Sequence, residues 1–143
     1  MLVTAESCTG GWVAKAVTDI PGSSGCFAYG VVSYSDDAKE VLLDVSPDVL
    51  RKHGAVSEPT VREMAAGAIE LSGADLSVAI SGIAGPGGGT ADKPVGTVWL
   101  AVAGAGAAPK TRRFVWPGTR EQIRVLAAHW AMAMIRRAAG DNP

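Results

Sequence analysis

Apolar positions along this chain recur with a period of two in some stretches and of three to four in others, and each change marks a new element. Leu2 to Ala5 is a short apolar run that turns at Glu6-Ser7 and reads as a strand. Thr9 to Asp19 has helical spacing, with Val13, Ala16, Val17 and Ile20 on one face. PGSSG (21–25) is a turn, and CFAYGVVSYS after it is rich in β-branched and aromatic residues, as a strand requires. Asp36 and Asp37 suit the N-terminus of a helix running through Lys39 to Leu43. SPDVLRKHG is a compact second helix, with Ser46 as cap, Pro47 in the first turn and Gly54 as the stop. Ser57 opens a longer one whose stripe is Val61, Met64, Ala65, Ala68 and Ile69.

In the second half, DLSVAIS (75–81) reads as a buried strand and GIAGPGGGTADKP after it as a long glycine-rich loop. VGTVWLAVA and KTRRFVW are two strands joined by GAGAAP, the pattern of a hairpin. The last helix starts at Arg120, capped by Thr119 with Gln122 three residues on, and its stripe is Ile123, Leu126, Ala127, Trp130, Ala131 and Met134. The order β-α-β-α-α-α-β-β-β-α, without linker or repeat, predicts one domain over 1–143. Its architecture is a three-layer α/β/α sandwich, a mixed sheet with helices on both faces. Ligands of such sheets gather where strand ends pass into loops and helices, which singles out 6–11, 33–39 and 81–94.

Composition narrows the classes. Thirteen Lys and Arg against fourteen Asp and Glu leave a net charge of -1, which gives no footprint for nucleic acid or an anionic membrane. The apolar runs are too short for a membrane span and Met1-Leu2-Val3 is too short for a signal peptide. Cys8 and Cys26 have no metal-ligand spacing, so a cytoplasmic chain with free thiols is expected.

Candidate chemistry begins with TAESCTGG (4–11). A serine on a strand-to-helix turn stands clear of the sheet, and the backbone N–H groups of residues 8 to 11 can face an oxyanion or a phosphate. On spacing alone the simpler account is that Ser7 or Thr9 caps the helix while Gly10 and Gly11 relieve crowding. Cys8 is a competing nucleophile, since a thiol at a helix N-terminus is acidified, although its small size suits packing. His53 and His129 are the only histidines, and neither lies in a segment that suits a triad. The remaining base is a lysine: Lys39 follows a strand end and comes five residues after Tyr34. It must be partly neutral to act, which requires desolvation or a nearby cation. The glycine-rich loop lacks the Gly-Lys-Ser/Thr of a phosphate loop and precedes a strand, so it reads as a mobile loop or as backbone donors around a small ligand. Arg120 and Arg124, one turn apart, are phosphate candidates or solvated charges.

Five segments together, TAESCTGG, GVVSYSDDAKEVLLDV, HGAVSEPTVREMA, SGIAGPGGGTADKPVGTVW and PGTREQIR, resemble the CinA C-terminal domain family over nearly the whole chain. That family includes stand-alone nicotinamide-nucleotide amidohydrolases. The resemblance implies hydrolysis of the carboxamide of nicotinamide mononucleotide to nicotinate mononucleotide and ammonia, in pyridine-nucleotide recycling, by a serine–lysine mechanism without metal or organic cofactor. It places the nucleophile on Ser7, the lysine on Lys39 and the tyrosine on Tyr34. Thr9, Gly10 and Gly11 are then the backbone oxyanion donors, and Gly85, Gly87, Arg120 and Arg124 the candidates for holding the substrate. The partner is a small nucleotide, with no nucleic acid or membrane. The alternative is a non-catalytic nucleotide-binding or regulatory domain of the same fold. Two departures stand out. The relatives tend to carry asparagine where this chain has Asp36, a charge that raises the pKa of a nearby lysine. They also carry a helix before the first strand, so a homodimer or higher homo-oligomer is expected to cover the sheet.

Overall fold

The computed structural model describes residues 1–104 and 106–140. Strand β1 is Leu2–Glu6, followed by α1 Trp12–Thr18, β2 Phe27–Val32, α2 Asp36–Leu43, α3 Pro47–His53 and α4 Glu58–Ser72. Then come β3 Leu76–Gly82, β4 Thr97–Gly104, β5 Lys110–Val115 and α5 Arg120–Gly140. The sheet has the order β2-β1-β3-β4-β5. β1 runs parallel to β2 and to β3, while β4 and β5 are antiparallel to their neighbours. This is the expected mixed sheet with a hairpin at one edge; Ala105 of the GAGAAP connection lies outside the described residues.

The topology follows from two crossovers in opposite directions. The α1 connection places β2 on one side of β1, and the α2–α4 connection carries the chain back across it to β3. Right-handed crossovers then send the connecting helices to opposite faces. On one face α1 and α5 bury Val13, Val17, Ile123, Ala127 and Ala131 against Val78, Ile80 and Leu100. On the other, α2, α3 and α4 bury Leu43, Leu50, Val61, Met64 and Ala65 against Val3, Ala5 and Ala79. Covered on both sides, β1 is buried at every position, as a central parallel strand requires. α2 and α4 approach backbone to backbone: a Cβ added at Gly67 would lie 1.8 Å from the Leu43 carbonyl oxygen. At the open edge, β5 exposes Lys110, Arg112 and Arg113, charges that resist pairing with another sheet.

Three local expectations are corrected. The first helix begins at Trp12 rather than Thr9, because Gly10 and Gly11 sit at φ 59° and 98°, in the left-handed region that a helix excludes. It ends at Thr18, so Ile20 leaves the apolar face and is 63% exposed. Asp36 and Asp37 do not cap α2: Ser35 does, its hydroxyl accepting from the Ala38 N–H at 3.0 Å, and the two aspartates occupy the exposed first turn. The capping box of α5 forms as expected, with Gln122 N–H donating to Thr119 Oγ1 at 3.2 Å and Thr119 N–H to Gln122 Oε1 at 2.9 Å.

Candidate active site

The strand order reverses at β1, and at its C-terminal end the adjoining connections diverge to opposite faces and leave a crevice. Ladder bonds continue one residue past β1: the Ser7 N–H donates to Ile80 O and the Ser33 N–H to Glu6 O, both at 2.9 Å. Glu6 is in register with Val32 and with Ile80, so the next residues, Ser33, Ser7 and Ser81, form a row across three strand ends. All three are buried. Ser33 and Ser81 open two of the strand-end segments that the sequence marks, 33–39 and 81–94, but nothing local to them assigns either a place beside Ser7.

Lys39 enters this row from α2. It is 1% exposed, and its Nζ lies 3.1 Å from Ser7 Oγ, 2.8 Å from Ser33 O and 3.5 Å from Tyr34 O. Burial holds its pKa below the ordinary lysine value, while the negative charge of Asp36 and, more weakly, the Cys8 side chain pull it back up. In the neutral amine the two N–H groups can donate to the two carbonyls. The lone pair is then left for the Ser7 hydroxyl proton.

The turn between Ser7 and α1 is bonded internally. Gly10 N–H donates to Ser7 O at 3.0 Å and Trp12 N–H to Thr9 O at 3.1 Å. The fully buried Glu6 carboxylate accepts from Gly11 N–H at 3.1 Å, Val13 N–H at 3.0 Å and Ala14 N–H at 2.8 Å. Glu6 therefore occupies the positive end of α1. Gly10 and Gly11 are corrected as oxyanion donors, because both N–H groups are engaged within the turn. Among the described residues, the N–H groups of Cys8 and Thr9 have no hydrogen-bond partner.

A pocket of about 230 Å³ opens above this row, lined by Ser7, Tyr34, Lys39, Val56, Ser81 and Arg120 among others. The Tyr34 phenol does not reach Lys39; it accepts from Arg120 Nη2 at 3.0 Å, and only its carbonyl approaches the amine. Arg120 also donates to Gly85 O at 2.8 Å, tying the glycine-rich loop to the rim. Gly87 is exposed and does not line the pocket. Arg124 lies behind the turn, donating from Nε to Cys8 O at 3.0 Å and from Nη2 to Thr9 O at 3.3 Å. The Cys8 thiol is buried in the α1–α5 core, and burial pushes its pKa up to about 12. That thiol is inert at neutral pH. His53 and His129 are exposed and do not line the pocket. Among the described residues, no group of three or more His, Cys, Asp or Glu is placed to hold a metal ion. A larger groove of about 670 Å³ runs between β5 and the end of α5, but it contains none of the serine–lysine chemistry.

A mixed sheet covered on both faces, with a buried serine and lysine meeting at its switch point, defines an α/β domain built around one strand-end pocket. Residues 1–139 match the CinA C-terminal domain, and the chain belongs to that family. It is 53% identical over 140 residues to a CinA-like protein of Akkermansia muciniphila, covering 98% of this chain and 34% of that protein. It is also 53% identical over 131 residues to the nicotinamide-nucleotide amidohydrolase PncC of Escherichia coli K12, covering 92% of this chain and 79% of PncC. The chain thus spans about a third of the CinA-like protein and about four fifths of PncC. Among solved structures, the competence damage-inducible protein A of Klebsiella pneumoniae superposes with a TM-score of 0.93 at 39% identity, over 99% of this chain and 88% of that one. A CinA superfamily protein of Escherichia coli gives 0.91 at 40% identity, over 96% and 79%.

Proposed function

We propose that this chain hydrolyses the carboxamide of nicotinamide mononucleotide, with Ser7 as nucleophile and Lys39 as base. The observation that carries the reading is the buried Lys39 amine, held 3.1 Å from Ser7 Oγ by the Ser33 carbonyl, with its pKa lowered by burial. A serine needs a base within hydrogen-bond reach, and no imidazole lines this pocket. The identity to PncC supports the choice of substrate.

Lys39 takes the Ser7 hydroxyl proton as Oγ bonds to the amide carbon, and the carbonyl oxygen takes up negative charge. Collapse breaks the C–N bond, Lys39 passes its proton to the departing nitrogen, and ammonia leaves. Water then attacks the ester and gives its proton to Lys39, which returns it to Ser7 Oγ as nicotinate mononucleotide is released. The net change is addition of one water and loss of one ammonia. A pocket of about 230 Å³ admits the carboxamide-bearing ring and leaves the ribose phosphate at the mouth. Arg120, held there by Gly85 and Tyr34, is the cation available to the phosphate.

The test is ammonia release from nicotinamide mononucleotide by the purified protein and by Ser7→Ala, with binding followed by calorimetry. Turnover in the wild type and at least a thousandfold loss in Ser7→Ala are expected. Undiminished activity in Ser7→Ala refutes the mechanism. Binding without turnover in the wild type favours a nucleotide-binding domain, a reading that rests on the upward pull of Asp36 on Lys39.

A further inference from the structure

We propose that this chain associates head to tail with further copies of itself: the acidic, apolar face of α2 and α4 on one copy docks into the basic groove between β5 and α5 on the next. The inference does not rest on the reading of Ser7 and Lys39, and it assigns faces to the homo-oligomer expected from the sequence.

α2 and α4 meet along a groove of about 560 Å³ on the outer surface of the domain. Val41, Leu42 and Leu71 stand open to solvent there, Val41 at 81% exposed. Helical spacing explains the exposure. α2 turns Lys39 and Leu43, four residues apart, into the domain, so Val41 between them points away. A helix that only covers a core carries polar residues on that side, and an exposed apolar cluster with a charged rim marks a contact surface. The rim here is acidic: Asp44, Glu63 and Glu70 line the groove and no Lys or Arg does. The Glu63 carboxylate accepts from the Ser46 N–H at 2.8 Å. Asp44 and Glu70 are exposed and enter no ion pair among the described residues.

The counterpart lies on the other face of the sheet, in the groove of about 670 Å³ between β5 and the end of α5. Val102, Phe114 and Met134 supply its apolar lining. Lys110, Arg112, Arg113 and Arg137 line it as well, with no Asp or Glu among them. All four cations are exposed and unpaired by any carboxylate among the described residues. The chain as a whole is nearly neutral, so one groove with cations alone and another with carboxylates alone amount to a segregation of charge.

That segregation selects the occupant. Acidic face on acidic face, or groove on groove, sets like charges together, whereas each surface complements the other. The cations of β5 also disfavour a second β5 along its open edge. Because the two surfaces lie on opposite faces of the sheet, two copies satisfy one contact and leave one of each surface open. The contact is therefore heterologous and continues into a ring or an open chain. Neither surface shares a residue with the Ser7–Lys39 pocket, so association is measured apart from hydrolysis.

The experiment is sedimentation velocity over a concentration series, at low and high salt. The samples are wild type, Glu70→Lys, Arg112→Glu and an equimolar mixture of the two variants. The average mass of the wild type should rise with concentration beyond that of two chains and fall in high salt, where exposed charges are screened. Each variant alone should associate at least about tenfold more weakly, since like charges then face each other across the contact. The mixture should recover association, because one variant keeps an intact groove and the other an intact acidic face. Only a contact between two different surfaces gives that recovery. Wild type that stays a single chain overturns the proposal, as does a species of two chains that neither substitution weakens. A mixture that associates no better than its separate components overturns it too. Should either variant lack a cooperative melt, Val41→Lys or Lys110→Glu takes its place and the same outcomes decide.

Discussion

Gly67 is distant in function from the pocket, yet its replacement by alanine should damage activity. Helix propensity favours the change by about 1 kcal/mol, since glycine is a poor helix former. Sterics oppose it: the new Cβ would stand 1.8 Å from the Leu43 carbonyl oxygen, well inside van der Waals contact. The contacted atom is backbone, so α2 and α4 must separate by about 1 Å or more, at the 1–3 kcal/mol typical of overpacking. The net expectation is a loss of about 0–2 kcal/mol, or a Tm lower by up to roughly 6 °C for a chain of this size. Leu43 ends the helix that carries Lys39, so a shift of α2 moves Nζ relative to Ser7 Oγ. A misplacement of about 1 Å costs on the order of 10²-fold in rate. Gly67→Ala should therefore lower kcat/KM for nicotinamide mononucleotide by about 10- to 100-fold while remaining folded. Ala66→Gly, at the exposed neighbouring position, is the control; it should lose about 1 kcal/mol by propensity and keep its activity. A Gly67→Ala protein with a Tm at or above wild type and full kcat/KM would refute the backbone contact and its link to the lysine.

Three further outcomes are expected. The folded pKa of Lys39 lies below its unfolded value because of burial, so the unfolded chain binds the proton more tightly. Stability should then rise as pH increases through the folded pKa toward the unfolded one, about 10.4. Lys39→Met should abolish turnover and remove this contribution from the Tm-against-pH curve; an unchanged alkaline slope would count against a depressed amine. Asp36 pulls the Lys39 pKa upward, so Asp36→Asn should shift the limb of the kcat/KM profile assigned to the base to lower pH, and a shift to higher pH would reverse the electrostatic argument. Cys8→Ala should retain activity within about tenfold, because a thiol with its pKa pushed up to about 12 holds its proton; a loss equal to that of Ser7→Ala would make the thiol the nucleophile.

The element order was legible because each element carries its own period, and the five-residue spacing from Tyr34 to Lys39 directed attention to the strand end where Lys39 meets Ser7. What escaped the sequence depends on partners far along the chain or on φ. Glu6 reads as a turn residue in TAESC, and only the fold shows its carboxylate accepting three N–H groups of the turn and α1. Gly10 and Gly11 read as donors facing a ligand, but at positive φ their N–H groups bond to Ser7 O and to the Glu6 carboxylate. Arg124 reads as a surface cation beside Arg120, since its acceptors lie more than a hundred residues earlier. The cap of α2 was misplaced by one residue because Ser35 and Asp36 are both good caps. Ser81 escaped as the last polar residue of an apolar strand; its relation to Ser7 comes from parallel register, which no local pattern encodes.

The long reach of Arg124 also bears on timing during synthesis. The proposed nucleophile and base, Ser7 and Lys39, both lie within the first thirty-nine residues, in a βαβα segment. The arginine that bonds the carbonyls of the turn, Arg124, belongs to the last helix, one hundred and sixteen positions after Cys8. A chain emerging from the ribosome can thus bring Ser7 and Lys39 together early, yet the carbonyls of Cys8 and Thr9 gain their Arg124 donors only when α5 docks. The turn that follows Ser7 is tied down last, by the final helix of the domain.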